Sequence, residues 1–586
     1  MLWGFALATV LAYALYLRLH GITWGLPYNY LNPDEATIVR ESFHIAQGHV
    51  NPSWFLYPSL MFYLVAAVYL GIGLAWHPSF AHSFLSKGSF IVDASPYYLS
   101  ARLVAVACGV VSVYLIYRLG REAFSRPAGM LAALFLAVVP LHVTYSHYAV
   151  TDVPATMFSL LALLFLVRAA KGGGRRALVW GAFAAGAATS TKYNLGMLLI
   201  PATIAGVYAL RGAAASRGAH GAPAAHGTAD LTDDDHGDRA AADAQDEATG
   251  GRHPLRALVR RCPLAFGLVR RVYLPMTLGF VAFTPFAVLD APHFVSDFLR
   301  QNRIVARGWL GFEHTGNGYW YNLHVNLPGA MGIVLFAVSL GGLAWALHRR
   351  RRPDTMLVTY VVVYYLYVSS WTALQERYLL PILPILVLLA SRLCVRLVRV
   401  RYVRRRVLAP LVAGLLVAGL LLPLSASIAY DRTLHGTDVR TVAKHWIETH
   451  IPRGSIIAAE PYGPPLVSRM AVYYFNAAGH HQVYYRLVHL PLPLPGVKDK
   501  RHSIAFLRRK GVRYVIVSSE VYDRVLAAAN VYPRQVGFYA RLARHAKLVK
   551  AFAPGPGERG PTIEVYRVPQ SLLSQGDVAH EPGGNG

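Results

Sequence analysis

The fold is decided by a pattern that residues 100–158 contain in full: "SARLVAVACGVVSVYLIYRLGREAFSRPAGMLAALFLAVVPLHVTYSHYAVTDVPATMF". Two apolar runs, 100–117 and 128–145, are separated by the basic loop 118–126. Each run approaches the ~20 residues that a helix needs to cross a bilayer core of ~30 Å. Backbone groups inside a membrane must be hydrogen-bonded within their own segment, and barrel strands would alternate, so these continuous runs predict helices.

Comparable apolar runs follow one another along much of the 586-residue chain, which is 54% hydrophobic. We predict a polytopic α-helical membrane protein with about 11–12 transmembrane helices. The candidate spans, with 57–76 as the twelfth, are 1–19, 100–117, 128–145, 153–168, 177–191, 194–210, 273–289, 328–347, 355–371, 378–391 and 407–425. The first run lacks a basic n-region and an A-x-A site, so we expect a retained helix and not a cleaved signal peptide.

The formal net charge of +27 does not indicate nucleic-acid binding, because the basic residues cluster in short loops between apolar runs. This arrangement is typical of cytoplasmic loops and of contacts with anionic headgroups. The basic loops are 118–126, 168–176, 348–354 and 392–406. On this basis we expect the connections 146–153, 290–327 and 372–377, and the C-terminal domain, on the extracytoplasmic side.

Composition divides the chain into five expected parts. They are a transmembrane core with catalytic external loops (1–210), a disordered cytoplasmic linker (211–253), further transmembrane helices (254–428), an extracytoplasmic α/β domain (429–568) and a flexible tail (569–586). The linker has almost no large apolar side chains to bury. In the α/β domain, "SIIAAE", "YVIVSSE" and "TIEVYRV" are typical of strands, and "VRTVAKHWIETH" and "HSIAFLRRKG" of helices.

Two acidic positions are candidates for chemistry. In "YLNPDEATIV", residues 30–39, Pro33 predicts a helix start, and Asp34 and Glu35 would suit its first-turn dipole. The same carboxylates could also bind or deprotonate a polar substrate. Asp152 either caps the following helix or, with His147, faces a cavity, because polar groups at membrane depth are otherwise costly.

Two cations are also candidates, because the charge pattern puts them on the side where basic residues are rare. Lys192 in "TSTKYN" is either a lysine that snorkels to the interface or a phosphate ligand. Arg377 in "QERYLLP" either forms a salt bridge or contacts a phosphate. The three cysteines have no CxxC or metal-ligand spacing, so we expect neither a disulfide framework nor a metal site.

These motifs, in this order, resemble the GT-C superfamily of polyprenyl-phosphate-sugar-dependent glycosyltransferases. The similarity is to the branch with protein O-mannosyltransferases and aminoarabinose transferases (glycosyltransferase families 39 and 83). The matching pieces are "NPDEATIV", "FLYPSLMFYL", the stretch 100–158, "TSTKYN" and "ERYLLPILP", spread over about residues 1–425. "YPSL" departs from the usual Pro-Pro and no lysine precedes it, which argues against an aminoarabinose donor.

The resemblance implies transfer of one sugar from a polyprenyl-phosphate donor to a protein, lipid or glycan hydroxyl. This would take place at the extracytoplasmic face of the cell membrane, with no obligatory cofactor and with room for a divalent cation. It implies Asp34 as general base with Glu35 as its partner. It further implies donor or acceptor binding by Asp152, His147 and Tyr57, and phosphate binding by Lys192, Arg102, Arg377 and Tyr378.

Two points stay open at this level. If 57–76 crosses the membrane, the Asp34 loop lies inside, whereas an interfacial or re-entrant 57–76 leaves it outside beside Asp152. A transporter or a non-catalytic envelope scaffold would also have many helices and basic loops. A transporter is disfavoured because the chain shows no internal repeat.

Overall fold

The structure is a computed structural model that describes residues 2–28, 33–76, 83–220, 263–398, 405–469, 471–479, 482–497 and 499–569. From residue 221 on, the predicted linker lies outside the described residues, and a helix covers its first ten positions up to His220. All of the predicted tail after residue 569 also lies outside them.

The first half of the chain is helical. Its helices are α1 (Leu2–Leu19), α2 (Pro33–Ala46), α3 (Leu60–Trp76), α4 (Lys87–Val92), α5 (Ser95–Ala123), α6 (Arg126–Val138), α7 (Pro140–Ser146), α8 (Asp152–Ala170), α9 (Gly174–Thr189) and α10 (Leu199–His220). A 3-10 turn, Tyr193–Leu198, leads into α10.

The helical part continues after the linker. Its helices are α11 (Pro263–Leu268), α12 (Leu274–Phe283), α13 (Phe286–Leu289), α14 (Ala291–Arg307), α15 (Gly318–Tyr321), α16 (Leu327–Met331), α17 (Ile333–Arg349), α18 (Arg352–Ser369), α19 (Leu383–Val398) and α20 (Arg405–Leu434). Two π-helical turns, Val269–Tyr273 and Asn322–Asn326, and one 3-10 turn, Glu376–Ile382, interrupt this series.

Among the described residues, seven helices are long and apolar enough to cross a membrane, and nine if two bent pairs each count as one span. The protein is therefore a multi-pass membrane protein. Two of the twelve candidate spans are these bent pairs, and three others, 57–76, 177–191 and 355–371, are not among the nine. The predicted span 128–145 bends by 60° at Pro140, whose ring disfavours helix in the preceding residue. The predicted span 328–347 bends by 118° at Gly332, which has a φ of 82°.

A close approach between α9 and α12 depends on two glycines. A Cβ on Gly186 of α9 would lie 2.0 Å from the Met276 carbonyl oxygen, and a Cβ on Gly279 of α12 would lie 2.2 Å from the Phe183 carbonyl oxygen. Small residues that let backbones touch are the usual basis of helix association in a bilayer. These two positions hold α9 and α12 together.

The basic loops meet at one end of the bundle, the basic face. Arg168 forms an ion pair with Glu122 at 3.3 Å, and the Arg352 guanidinium donates to the Ala170 carbonyl at 3.1 Å. Helix α5, with 29 residues, is about 43 Å long and runs from this face to the opposite one, the domain face, where it begins at Ser95.

Helix α3 contains most of residues 57–76, the segment that the sequence left either as a membrane crossing or as an interfacial or re-entrant segment. At its first residue, Leu60 donates its N–H to the Ser190 carbonyl at 3.0 Å, and midway the Tyr69 hydroxyl donates to the Tyr97 carbonyl at 2.9 Å, in the first turn of α5. Its apolar side chains pack with α2 and the start of α5, as in Phe62 against the cluster that contains Phe43. The beginning and middle of α3 therefore lie at the domain face, and α3 does not run to the basic face.

The C-terminal domain is α/β, as predicted. Its strands are β1 (Thr437–Asp438), β2 (Ile456–Ala459), β3 (Val467–Ser468), β4 (Tyr484–His489), β5 (Tyr514–Ser518), β6 (Lys547–Phe552), β7 (Glu558–Arg559) and β8 (Ile563–Arg567). Its helices are α21 (Val439–His450), α22 (Val472–Ala477), α23 (Ile504–Arg509), α24 (Ser519–Ala527) and α25 (Pro533–His545). The six-stranded sheet has the order β3-β4-β2-β5-β8-β6. The first four strands are parallel, and β8 is antiparallel to both of its neighbours, β5 and β6.

This domain docks on the domain face of the helical part. The Arg559 guanidinium lies 4.5 Å from the Trp24 ring, and Leu310 is part of the apolar core under α24 and α25. In the sheet, β2, β4 and β5 end at one edge. The loop after β2 projects from this edge toward the helical part, so the docking places a sheet edge where α/β proteins commonly bind ligands.

Candidate functional site

Asp34 lies at the domain face in contact with residues from distant parts of the chain. It forms an ion pair with Arg377 and accepts a hydrogen bond from the Tyr57 hydroxyl at 3.3 Å. Its side chain stays 30% exposed. Burial raises the pKa of Asp34, but the Arg377 guanidinium, the Tyr57 hydroxyl and the Lys192 ammonium lower it further, so the net pKa lies below its ordinary value. The carboxylate is ionised and accessible.

A second carboxylate–cation pair adjoins the first. Asp152, the first residue of α8, forms an ion pair with Lys192, and both side chains are nearly buried. The Lys192 ammonium also lies 4.8 Å from the Tyr378 ring, and the Arg377 guanidinium lies 5.8 Å from the same ring. Tyr378 therefore sits beside both cations. The structure thus brings together six of the predicted site residues: Asp34, Tyr57, Asp152, Lys192, Arg377 and Tyr378.

Glu35, although adjacent to Asp34, lies in a different environment from the one expected. It is 1% exposed and forms a bidentate pair with Arg102, with N–O distances of 2.8 and 3.0 Å. It also accepts the Ala149 backbone N–H at 2.8 Å. Successive residues on a helix point about 100° apart, so the two side chains leave α2 in different directions. Glu35 does not reach the cavity beside Asp34.

Arg102, expected at the phosphate, is the partner of this buried carboxylate. Besides Glu35, its guanidinium donates to the Ile22 and Trp24 carbonyls, both at 2.8 Å, and it is 2% exposed. Most of its N–H groups are therefore committed within the protein. Together Glu35 and Arg102 tie α2, α5 and the loops around residues 22–24 and 149 into one unit behind Asp34.

His147 is also buried away from Asp34. Its ring nitrogens lie 3.0 Å from the Val143 carbonyl and 2.9 Å from the His20 carbonyl, and Asp431 of α20 is 3.7 Å away. Burial lowers the pKa of His147 to about 4, despite the two backbone hydrogen bonds, so the ring is neutral. Its position suits a packing role at the junction of α1, α7 and α20.

A cavity of about 490 Å³ opens beside Asp34 and Arg377, between the helical part and the C-terminal domain. This volume is in the range of small-molecule sites. Its lining combines four aromatic side chains with planar polar ones. The lining residues are Asp34, Tyr145, Trp309, Leu310, Gly311, Phe312, Asn326, Leu374, Gln375, Glu376, Arg377, Tyr462 and Arg524.

Sequence reasoning missed the contribution of the C-terminal domain. Tyr462 and Arg524 line the cavity, 428 and 490 positions after Asp34. The segment "EPYGPP", residues 460–465, does carry a turn signal directly after a predicted strand. Nothing local to that segment indicates which part of the helical bundle it faces.

Among the described residues, no three His, Cys, Asp or Glu side chains group closely enough to hold a metal ion.

Structural alignment with solved structures identifies the fold. ArnT from Cupriavidus metallidurans in the apo state aligns with a TM-score of 0.51 at 14% identity, over 97% of this chain and 99% of that one. The Archaeoglobus fulgidus oligosaccharyltransferase in the apo form aligns with a TM-score of 0.50 at 14% identity, over 91% of this chain and 72% of that one. The chain has the GT-C fold. The predicted fold, a GT-C membrane bundle with a small C-terminal α/β domain, is confirmed.

A third GT-C structure aligns equally well. It is the archaeal oligosaccharyltransferase AglB from Archaeoglobus fulgidus in complex with an inhibitory peptide and a dolichol-phosphate, with a TM-score of 0.50 at 13% identity, over 96% of this chain and 74% of that one. In sequence, residues 77–225 match the family described as dolichyl-phosphate-mannose-protein mannosyltransferase. No curated protein shows significant sequence similarity to the chain. The family match over residues 77–225 supports glycosyl transfer as the general role.

Proposed function

We propose that the protein transfers a single sugar from a polyprenyl-phosphate carrier to a hydroxyl acceptor, at the extracytoplasmic face of the cell membrane. One observation carries the proposal: two carboxylates and two cations from four distant segments converge beside a cavity at one end of the bundle. Such a set supplies both a proton acceptor and a site for a phosphate leaving group.

The side of the membrane follows from the charge pattern. The basic loops meet at the face opposite to the cavity, and short loops rich in Lys and Arg stay in the cytoplasm. The cavity and the C-terminal domain then lie outside the cytoplasm. Labelling of single cysteines with a membrane-impermeant reagent tests this orientation, and labelling of the basic loops from outside intact cells would contradict it.

The donor phosphate binds Lys192 and Arg377. Both cations are paired with carboxylates, and the Arg377 Nε is buried and makes no hydrogen bond among the described residues. A phosphate that accepts from Arg377 competes with Asp34 for the guanidinium. Asp34 then loses its main stabilising charge and its pKa rises, which makes it a better base once the donor is bound.

In the transfer step, the acceptor oxygen attacks the anomeric carbon while its proton passes to the Asp34 carboxylate. The bond between the anomeric carbon and the phosphate oxygen breaks, and the polyprenyl phosphate leaves with the electron pair, its charge offset by Lys192 and Arg377. A single displacement inverts the anomeric centre. Tyr57 orients Asp34 through its hydroxyl, and Tyr378 keeps the two cations in place. The donor assignment is supported by the family match and by the dolichol-phosphate in the AglB structure.

The test uses purified protein in nanodiscs with radiolabelled polyprenyl-phosphate hexoses and pentoses and a membrane extract as acceptor source. The expected result is labelled product together with released polyprenyl phosphate. Asp34→Asn should lower the rate by about 10²- to 10⁴-fold, the usual contribution of a general base. The control is Asp93→Asn, an exposed carboxylate that accepts the Ser95 N–H and for which Asn is an equally good capping residue. Full activity in Asp34→Asn would rule out the assigned base.

A further inference from the structure

The composition of the cavity bears on which acceptor it takes, an inference that rests on the proposed transferase function. Three of its four aromatic residues come from unrelated segments: Tyr145 from α7, Trp309 from the loop after α14 and Tyr462 from the loop after β2. All three side chains are partly exposed. Aromatic surface that is gathered in one concavity and rimmed by polar residues is typical of a ligand-binding groove.

Tyr462 is held in an unusual backbone conformation. Its φ is +62°, in the left-handed region that side chains other than glycine rarely adopt. Two residues earlier, the buried Glu460 accepts the Ser518 N–H at 3.0 Å and the Tyr539 hydroxyl, which anchors the start of the loop. Backbone strain that the surroundings enforce is concentrated at binding sites. Here it directs the Tyr462 ring to the cavity wall.

Two polar residues of the cavity have unused hydrogen-bonding capacity. Gln375 and Glu376 make no side-chain hydrogen bond or ion pair among the described residues, and both are at least partly exposed. Their neighbours differ in this respect, because Asn326 donates to Asn322 and to the Leu374 carbonyl. A planar amide and a carboxylate, both without partners and both in the cavity, can accept hydrogen bonds from ligand hydroxyl groups.

Aromatic rings next to planar polar groups match one ligand chemistry. The C–H faces of a pyranose or furanose ring pack on aromatic surfaces, and its hydroxyls need acceptors such as carboxylates and amides. A lipid chain would need an apolar lining instead. We propose that the acceptor is a saccharide whose ring packs against Trp309 and Tyr462 and whose hydroxyls donate to Gln375 and Glu376. This saccharide is either a free glycan or the headgroup of a glycolipid.

Binding can be measured without turnover. Full-length protein in nanodiscs that contain polyprenyl phosphate, which has no sugar to transfer, is titrated with a panel of hexose and pentose trisaccharides. The same sugars carried on a glycolipid form a second arm, and a Ser/Thr-rich decapeptide forms a third. Saturation-transfer NMR reports contact between ligand protons and the protein. Because no sugar is transferred in this assay, the two proposals can fail separately. A protein that binds trisaccharides but never releases polyprenyl phosphate from a donor refutes the proposed function and leaves only a saccharide-binding cavity. A protein that releases polyprenyl phosphate from a donor but binds no saccharide refutes this inference alone.

Trp309→Ala should weaken trisaccharide binding about tenfold or more. The matched control is Trp320→Ala, because Trp320 is 63% exposed and is not among the residues that line the cavity. Saccharide binding lost in Trp309→Ala and kept in Trp320→Ala supports the inference, and the free and glycolipid arms identify the source. Binding of the peptide alone, or equal saccharide binding by both variants, overturns it.

Discussion

Neutralising Glu35 should lower the stability of the protein but keep its activity, whereas neutralising the adjacent Asp34 should remove activity and change stability little. Glu35→Gln leaves the Arg102 guanidinium without a counter-charge in a site where both side chains are at most 2% exposed. Glu35 accepts three hydrogen bonds, from Arg102 Nε, Arg102 Nη2 and Ala149 N, at 2.8 to 3.0 Å. Removing one partner of a buried pair costs about 3–5 kcal/mol. Asp34→Asn should cost about 1 kcal/mol, because Asp34 is 30% exposed.

The assay is the apparent unfolding temperature of purified protein at one fixed scan rate, alongside transfer activity at a permissive temperature. The entropy of unfolding grows with chain length, so in a chain of 586 residues each kcal/mol shifts the unfolding temperature by about 1 °C. Glu35→Gln should therefore unfold about 3–5 °C below wild type. Where it remains folded, it should keep measurable activity. Asp34→Asn should unfold near the wild-type temperature and transfer little or no sugar.

A double variant sharpens the test. Glu35→Gln combined with Arg102→Gln removes both charges, so it should recover part of the stability that the single Glu35 variant loses. The reasoning is refuted if Glu35→Gln unfolds within 1 °C of wild type. It is also refuted if that variant loses all activity without any loss of stability, since Glu35 would then contact substrate and not only position α2.

Three further changes follow from the geometry. Gly279→Ala should prevent normal accumulation of folded protein, because its Cβ would lie 2.2 Å from the Phe183 carbonyl oxygen; wild-type yield and unfolding temperature would contradict this. Burial lowers the pKa of His502, but its partners Asp499 and Glu460 raise it more, to about 9. The protonated ring therefore stabilises the fold by about 3 kcal/mol below pH ~6.5, and this stabilisation is lost as the pH rises through 9. The wild-type unfolding temperature should therefore fall over this window, and the fall should be absent from His502→Asn. Lys192→Gln should raise the KM for the donor about tenfold or more because the phosphate loses a charged partner, and an unchanged KM would exclude Lys192 from the donor site.

Local sequence features were enough for much of the fold. Apolar run length predicted the membrane helices, and strand and helix patterns in 429–568 predicted an α/β domain that the structure contains. The bends at Pro140 and Gly332 also have sequence signals, although their angles depend on tertiary packing. The path of 57–76 could not be read locally, because an apolar run of 17 residues is compatible both with a crossing and with packing along one face.

Sequence motifs named six residues that the structure brings together in the candidate site, but they did not predict which residue pairs with which. Asp34 and Arg377 are 343 positions apart, and nothing near either residue specifies the other. The separation of Asp34 from Glu35, by contrast, follows from the helix that Pro33 begins, since adjacent positions on a helix face different neighbours. The cavity could not be predicted, because part of its wall comes from the C-terminal domain. The docking of that domain involves long-range contacts such as that of Arg559 with Trp24.

The pairing of each cation with a carboxylate also accounts for how the proposed phosphate site holds two nearly buried cations at the domain face. An unpaired buried lysine or arginine is costly, so a phosphate site made of cations alone would destabilise the ligand-free protein. Asp152 and Asp34 offset that cost for Lys192 and Arg377. A phosphate that displaces them releases two carboxylates next to the reacting sugar. In the proposed mechanism, one of these carboxylates, Asp34, is the base that the transfer step requires, and it becomes available when the donor binds.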